Sequence, residues 1–315
     1  MITLPEEFLK EEIREGFTVP SLMKRTWAAQ MQMLSQLQGF FEEHGLTYYA
    51  EVGTLLGTVR HKGYIPWDDD LDIAMPRKDY MKLQSLADKL PYPLRLKSTY
   101  VQNDFYQLHS VISNSRETTL TWNEERMDMY FGCPFIVGID IFPMDNIPFD
   151  EEERKVFRLK ATMAHTMALS FEDVFTAPID EKRICKYEKD LGILEERLGA
   201  SFDYDSDLRR QLYLLFDQTA MKYIDDNPEM YDYTPRLVLL ENSPTRRWEQ
   251  YRDTTELPFE SISICVPGLY ESVLDSLYGE WHVPVYYGAG HDYPYYKTQV
   301  EYFEYIGHGD ELSKL

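Results

Sequence analysis

Cysteine, basic charge and long apolar runs are all scarce in this sequence of 315 residues. Its three cysteines lie far apart without a Cys-x-x-Cys pair, which indicates neither a zinc site nor a disulfide framework. The 32 lysines and arginines face 54 aspartates and glutamates, and a formal charge of −22 opposes nucleic-acid binding. No stretch has the apolar length of a membrane span, and the acidic N-terminus lacks a signal-peptide core. We therefore expect a cytoplasmic protein that does not bind nucleic acid.

Repeats, low-complexity tracts and Gly/Ser linkers are also absent, while hydrophobic residues at 43% suffice for a sizeable core. Apolar residues recur at helical spacing over Ser21–His44, with Ser21 as the predicted N-cap and Gly45 as the predicted stop. Residues 151–225 are predicted to be almost wholly helical. Short strands are predicted at residues 47–52, 71–75, 94–98, 106–113, 136–142 and 259–266.

This order of elements predicts an α+β fold in four parts. Residues 1–20 form an N-terminal arm, and residues 21–150 form the core that carries the catalytic residues. Residues 151–235 are a helical insertion. Residues 236–315 supply strands, a helix and an aromatic tail that complete the core.

Acidic residues concentrate in the segment WDDDLDI, which runs into the strand predicted at 71–75. Because side chains alternate along a strand, Asp70 and Asp72 are expected to share one face. Two adjacent carboxylates repel each other unless a cation neutralises them, and oxygen-only ligands favour magnesium, with manganese as the alternative. Asp140 repeats the pattern of one acid between apolar neighbours on a predicted strand, which makes it the candidate third ligand.

The alternative interpretation is that an acidic chain places aspartates in many turns. We prefer that interpretation for Asp69. Asp68 has the same parity as Asp70, but it follows Pro66 closely and is therefore expected in a loop beside the pair. For Asp140, spacing alone supports either interpretation.

A glycine turn at Gly53, Thr54 and Gly57 precedes the acids and opens a predicted helix, whose N–H groups and dipole suit a phosphate. Arg60 and His61 follow as a local basic cluster that is a candidate phosphate contact. The alternative for these two residues is a solvated helix end, where basic side chains meet the dipole favourably.

Aromatic faces hold trimethylammonium groups, so rings near the acids bear on the substrate. In a chain with 24 tyrosines, packing is the preferred interpretation for any single ring, and Trp67 is kept as the candidate substrate contact. His291 is interpreted as an exposed loop histidine. The aromatic candidates are Tyr64, Trp67, Trp122, Tyr130, Trp281, Tyr286 and Tyr287.

Residues 51–80, EVGTLLGTVRHKGYIPWDDDLDIAMPRKDY, resemble the LicD family of phosphocholine-transferase-like proteins. That family has the nucleotidyltransferase fold and is related to the fukutin-related ribitol-phosphate transferases. The run GIDIFPMD at 138–145 and the run FESISICVPGLYESVLDSLYGEW at 259–281 are similar to further parts of the family. The resemblance therefore implies a nucleotidyltransferase-like mixed sheet with flanking helices.

The resemblance also implies a reaction. Proteins of this kind are expected to move a phospho-alcohol from a CDP-alcohol to a sugar hydroxyl of a cell-surface glycan precursor, such as teichoic acid or lipopolysaccharide, and to release CMP. Magnesium would bridge Asp70, Asp72 and Asp140 to the pyrophosphate. The acceptor would be a glycan or a lipid-linked glycan, which implies peripheral membrane contact through the acceptor.

Particular roles follow for single residues. Asp140 would orient or deprotonate the acceptor hydroxyl, and Arg60 and Arg77 would contact phosphate. The chain departs from the family where many members carry a Lys-Ile pair, because the corresponding stretch at 109–112 reads HSVI. Two other functions stay open: a nucleotidyltransferase that acts on a small molecule and releases pyrophosphate, and a catalytically silent member that binds nucleotide or glycan.

Overall fold

The computed structural model describes residues 1–175, 178, 180–226, 229–239, 246–286 and 293–315. Over these residues the chain combines a curled mixed sheet with flanking helices, which confirms the predicted α+β class. None of the helices in the described part of the chain is long and apolar enough to cross a lipid bilayer.

The strands are short, apart from one of ten residues. In chain order the described strands are β1 (Glu12–Arg14), β2 (Phe17–Val19), β3 (Tyr49–Ala50), β4 (Asp72–Pro76), β5 (Arg95–Lys97), β6 (Ser110–Ser113), β7 (Gly138–Ile147), β8 (Met230–Asp232), β9 (Arg246–Arg247), β10 (Thr254–Phe259) and β11 (Ile262–Pro267). The described helices are α1 (Ser21–His44), α2 (Val52–His61), α3 (Arg77–Ser85), α4 (Glu124–Met129), α5 (Glu151–Phe175), α6 (Glu181–Leu198), α7 (Leu208–Ala220), α8 (Thr234–Leu239), α9 (Tyr270–Tyr278), α10 (Lys297–Tyr305) and α11 (Gly309–Leu312).

The main sheet is built around β7. Its strand order is β3-β4-β7-β6-β5, with β4 parallel to β7 and the other neighbours antiparallel. The second half of β7 pairs with β8, which in turn pairs with β9. Two separate hairpins, β1-β2 and β10-β11, complete the strands of the described residues.

The long helix α1 packs its apolar stripe into the core against this sheet. The helix ends at Gly45, whose φ of 57° places it in the left-handed region that favours glycine. Both predicted ends of the helix are confirmed, but the predicted N-cap is wrong, because Pro20 takes the cap position and Ser21 is the first helical residue. The buried stripe comprises Trp27, Met31, Leu34, Leu37 and Phe41.

Two of the predicted strands are shorter than the sequence pattern indicates. The strand predicted at 47–52 contributes only β3, because α2 already begins at Val52, which adopts a φ of 34°. The strand predicted at 106–113 pairs only from Ser110 onward. A third prediction, at 259–266, spans the turn of the β10-β11 hairpin.

The region predicted to be helical at 151–225 forms α5, α6 and α7. These three helices bury an apolar cluster of their own, separate from the core of the sheet. The division of the chain into four parts stays a prediction. The fully or nearly buried members of the cluster are Met167, Ala168, Val174, Tyr187, Leu191, Leu194, Leu212 and Tyr213.

A buried arginine joins the sheet to this helical region. Arg77, which follows β4, donates to both carboxylate oxygens of Asp145 on β7 at 2.7 and 3.1 Å. Its third donor reaches Asp217 on α7 at 2.8 Å. All three side chains are buried or nearly so. Arg77 lies five residues beyond Asp72, about 16 Å along the extended chain. It therefore belongs to a structural ion-pair network and does not lie beside the acids, where the predicted phosphate contact would require it.

We expect Arg77→Met to destabilise the protein by about 3–5 kcal/mol, because Asp145 and Asp217 would keep buried charges without their cation. Urea unfolding followed by circular dichroism measures this loss. Arg252→Met, which removes only an exposed pair with Asp253, is the matched control and should stay within about 0.5 kcal/mol. An unchanged unfolding free energy for Arg77→Met would contradict the structural role.

Candidate active site

The register of the sheet brings the predicted acids together. Asp72 on β4 lies directly beside Asp140 on β7 in a parallel pair, so their side chains share one face. The prediction that the two strands are neighbours is confirmed. That these residues share a metal stays a prediction.

A third carboxylate lies in the same row. The backbone N–H of Glu51, the residue after β3, donates to the Asp72 carbonyl at 3.0 Å, and the preceding residue Ala50 pairs with Ile73. Residues opposite each other in an antiparallel pair project from the same face. Glu51, Asp72 and Asp140 therefore form one row across β3, β4 and β7.

The remaining acids lie in the loop before β4. Asp70 lies outside β4, so strand alternation does not place it on the same face as Asp72, as the sequence had predicted. Its charge nevertheless acts on Asp72. In the described residues, Asp68, Asp69 and Asp70 each offer a carboxylate oxygen within 4.8 Å of the others. Asp72 and Asp140 lie beside that triplet and not within it.

Asp69 also has a structural contact that the sequence does not reveal. It is fully buried, and one of its carboxylate oxygens accepts a 2.6 Å hydrogen bond from the backbone N–H of Tyr295. Its carbonyl accepts from Gln30 on α1. Asp69 therefore ties the acidic loop to α1 and to the C-terminal segment.

Burial and like charge both disfavour the ionised form of the acids. Burial, followed by the charge of Asp70, raises the pKa of Asp72 well above its usual range. Burial and Asp70 raise the pKa of Asp68 in the same way. The donors in the row are all oxygens, and one buried oxygen of Glu51 has no hydrogen-bond partner. This donor set fits a hard divalent cation such as Mg²⁺.

The glycine turn lies directly against the acids. The Thr54 hydroxyl accepts a 2.8 Å hydrogen bond from the backbone N–H of Asp72, which fixes the start of β4. A Cβ on Gly53 would come within 2.6 Å of an Asp68 carboxylate oxygen, so only glycine allows this approach. A Cβ on Gly57 would meet the Gly63 carbonyl at 2.5 Å, which assigns Gly57 a packing contact.

The predicted basic contacts lie at the other end of α2. Arg60 is about 12 Å along the helix from Val52, and it donates to the Trp281 carbonyl at 2.9 Å. His61 faces Glu15, with 3.3 Å between Nε2 and a carboxylate oxygen. The structure therefore does not bring these two residues to the row of acids.

Trp67 lies next to the acidic loop within an aromatic cluster. Its ring centroid is 6.3 Å from that of Phe17 and 5.4 Å from that of Tyr286. The cluster supports the preferred interpretation of packing for single rings. Tyr287 and His291, which the sequence analysis considered, lie outside the described residues.

A cavity of about 390 Å³ opens beside Asp70 and Asp140. His109 lines it, and His109 Nε2 lies 3.4 Å from a carboxylate oxygen of Asp140. An imidazole therefore stands in the stretch where the sequence lacks the family's lysine. Gln30, Gln107 and Tyr295 are further lining residues.

A buried arginine contacts the row of acids through Glu51. Arg246 on β9 is fully buried; it pairs with one oxygen of Glu51 and donates to Asp232 at 2.6 Å. Sequence reasoning missed both Glu51 and Arg246. For Glu51 the sequence holds a signal, since Glu51 is an acid that alternates with Tyr49 on the strand predicted at 47–52. For Arg246 it holds none, because its partner Glu51 is 195 positions away.

The site thus consists of acids on a mixed sheet beside a glycine turn. Residues 45–181 match the family model described as LicD/FKTN/FKRP, nucleotidyltransferase domain. The predicted resemblance to this family is therefore confirmed over residues 45–181, which make up a little under half of the chain. The run at 259–281 lies outside the matched residues.

Three relatives match shorter stretches of the chain. The lipopolysaccharide cholinephosphotransferase LicD of Haemophilus influenzae is 40% identical over 52 residues, which are 16% of this chain and 20% of that protein. An uncharacterized protein of Rickettsia prowazekii is 32% identical over 102 residues, or 31% of this chain and 35% of its own length. An uncharacterized protein of Rickettsia typhi is 36% identical over 73 residues, 22% of this chain and 24% of its own length. The matches thus span about a third or less of each relative.

We expect Asp70→Asn to raise the melting temperature of the metal-free protein by roughly 2 °C, or about 1 kcal/mol, because it removes repulsion among clustered carboxylates. Folding raises the pKa values of Asp68 and Asp72, so their unfavourable contribution grows as the pH rises above the unfolded value of 3.8. The gain should therefore shrink toward acidic pH.

Differential scanning fluorimetry in a metal chelator, repeated over a pH series, measures this effect. Asp88→Asn, at an exposed aspartate in the 3₁₀ turn after α3, is the control and should leave the melting temperature unchanged. A melting temperature of Asp70→Asn equal to or below that of the unsubstituted protein contradicts the account of clustered charge.

Proposed function

We propose that this protein is a phosphotransferase of the LicD type that depends on magnesium, with manganese as a substitute. In this proposal it transfers a phospho-alcohol, of which phosphocholine is the leading example, from a CDP-alcohol to a sugar hydroxyl and releases CMP. The acceptor is a glycan or lipid-linked glycan precursor of the cell surface, reached by peripheral contact with a membrane. The LicD-family domain and the name of the Haemophilus influenzae relative, a cholinephosphotransferase, support the reaction class.

The observation that carries the proposal is the row formed by Asp72 and Asp140 with the acidic loop beside it. Their parallel register places two carboxylates on one face of the sheet, and Asp140, together with Asp70 of the acidic loop, lines a cavity of about 390 Å³. Bound there, magnesium would offset the negative charge of the donor pyrophosphate and of the leaving CMP. Asp70, Asp72 and Asp140 are the residues proposed to hold it.

The other groups of the site have proposed roles that follow from their positions. Thr54 fixes the backbone of Asp72 and, with Gly53, presents the N-terminus of α2 to the donor phosphates. Asp140 faces the cavity, where it can orient the acceptor hydroxyl or take its proton. His109 lies beside Asp140 and supplies the one basic side chain among the described residues that line this cavity.

The test is to identify the product. We expect the purified protein to release CMP from CDP-choline in the presence of magnesium and an acceptor glycan, and chromatography separates CMP from CDP-choline. Asp72→Asn should lower the rate roughly 100-fold or more, because charge stabilisation worth several kcal/mol is lost. Asp88→Asn serves again as the control and should retain the full rate.

Two outcomes would overturn the proposal. Pyrophosphate release from CTP, without CMP release from CDP-alcohols, would instead support a nucleotidyltransferase that acts on a small molecule. An undiminished rate for Asp72→Asn would remove the metal assignment.

A further inference from the structure

Glu51 combines deep burial with an unsatisfied charge. Its side chain is 3% exposed, and one carboxylate oxygen pairs with Arg246. The other oxygen, Oε2, is buried and has no hydrogen-bond partner. Leaving such an acceptor unpaired costs about 1–3 kcal/mol or more for a charged group, so an additional partner is expected in the working protein.

The location of Glu51 limits what that partner can be. Glu51 stands opposite Asp72 at the end of β3, because its backbone N–H donates to the Asp72 carbonyl and Ala50 pairs with Ile73. Side chains at opposite positions of an antiparallel pair have Cβ atoms about 4.5–5.5 Å apart, within reach of a shared ligand. A cation placed between two carboxylates would offset the charge of both.

The charges of the neighbourhood lead to the same requirement. Besides Glu51 and Asp72, the site holds the acidic loop, where the carboxylates of Asp68 and Asp70 lie within 4.8 Å of each other. Arg246 is a buried cation in contact with Glu51, but it also pairs with Asp232 and therefore does not neutralise the row. A divalent cation supplies the missing charge, and its preferred ligands are carboxylate oxygens.

We propose that Glu51 is a further metal-binding carboxylate of this site, and that its Oε2 binds a divalent cation together with Asp72 while Arg246 holds its other oxygen. This inference rests on the proposed metal dependence. It assigns Arg246, which lies outside the matched residues 45–181, as a positioning residue for the ligand. The competing explanation is that Glu51 only forms a buried ion pair that attaches β9 to the sheet.

Manganese binding separates these explanations without any assay of activity. The full chain is titrated with Mn²⁺ alone, and electron paramagnetic resonance measures the free ion. We expect Glu51→Gln to weaken Mn²⁺ binding about tenfold or more, since loss of even a group that supports a metal ligand costs that much. A purely structural ion pair would lower the melting temperature and leave the Mn²⁺ affinity unchanged.

A matched control exists at Glu117, which pairs with the buried Arg126 at 2.7 Å in a different part of the fold. Glu117→Gln removes the same charge beside an arginine and should leave Mn²⁺ affinity within about twofold of the unsubstituted protein. If Glu51→Gln does not fold, Glu51→Asp replaces it, because it keeps a negative charge near Arg246 while shifting the position of the carboxylate.

The outcomes distinguish this inference from the proposed function. No Mn²⁺ binding by the unsubstituted protein, or undiminished binding by Asp72→Asn, would overturn the metal site and Glu51 with it. Loss of binding in Asp72→Asn, together with unchanged binding in the Glu51 variant, would overturn only the role of Glu51. Loss in both variants, with the Glu117 control unaffected, supports it.

Discussion

The parallel pairing of β4 with β7 is the constraint on which the site depends. It places Asp72 beside Asp140 in one register row, and a shift of one residue would turn one of the two carboxylates to the opposite face. The Thr54 hydroxyl, bonded to the backbone N–H of Asp72, secures the same register from the side of α2. The acids are therefore held together by backbone geometry in spite of their mutual repulsion.

Two buried arginines hold the surroundings of this row. Arg77 connects β4 to Asp145 and Asp217, and so joins the sheet to the helices α5 to α7. Arg246 connects Glu51 to Asp232, and so joins the edge of the row to β8 and β9. Each arginine pairs with two carboxylates, which leaves neither of them a free cation for a substrate phosphate. The proposed metal ion is the cation that would offset the charge of the acids.

The sequence was most informative where local patterns decide the structure. The helix Ser21–His44 and the placement of Asp72 and Asp140 on strands could be predicted because apolar periodicity and alternation act over a few residues. The roles of Arg60 and Arg77 could not, since an arginine near an acidic motif looks the same whether it contacts phosphate or a distant partner. Asp145 is 68 positions from Arg77, and the Trp281 carbonyl is 221 positions from Arg60. Only the tertiary structure decides between such partners.

Calorimetric titration with CDP-choline, in the presence and absence of magnesium, tests the central claim most directly. CMP and CDP-glycerol serve as comparison ligands. The account predicts that CDP-choline binds only when magnesium is present, and more tightly than CMP, because the row of acids would otherwise repel the pyrophosphate. Binding that does not change when magnesium is removed, or no binding of any cytidine ligand with magnesium present, would contradict it.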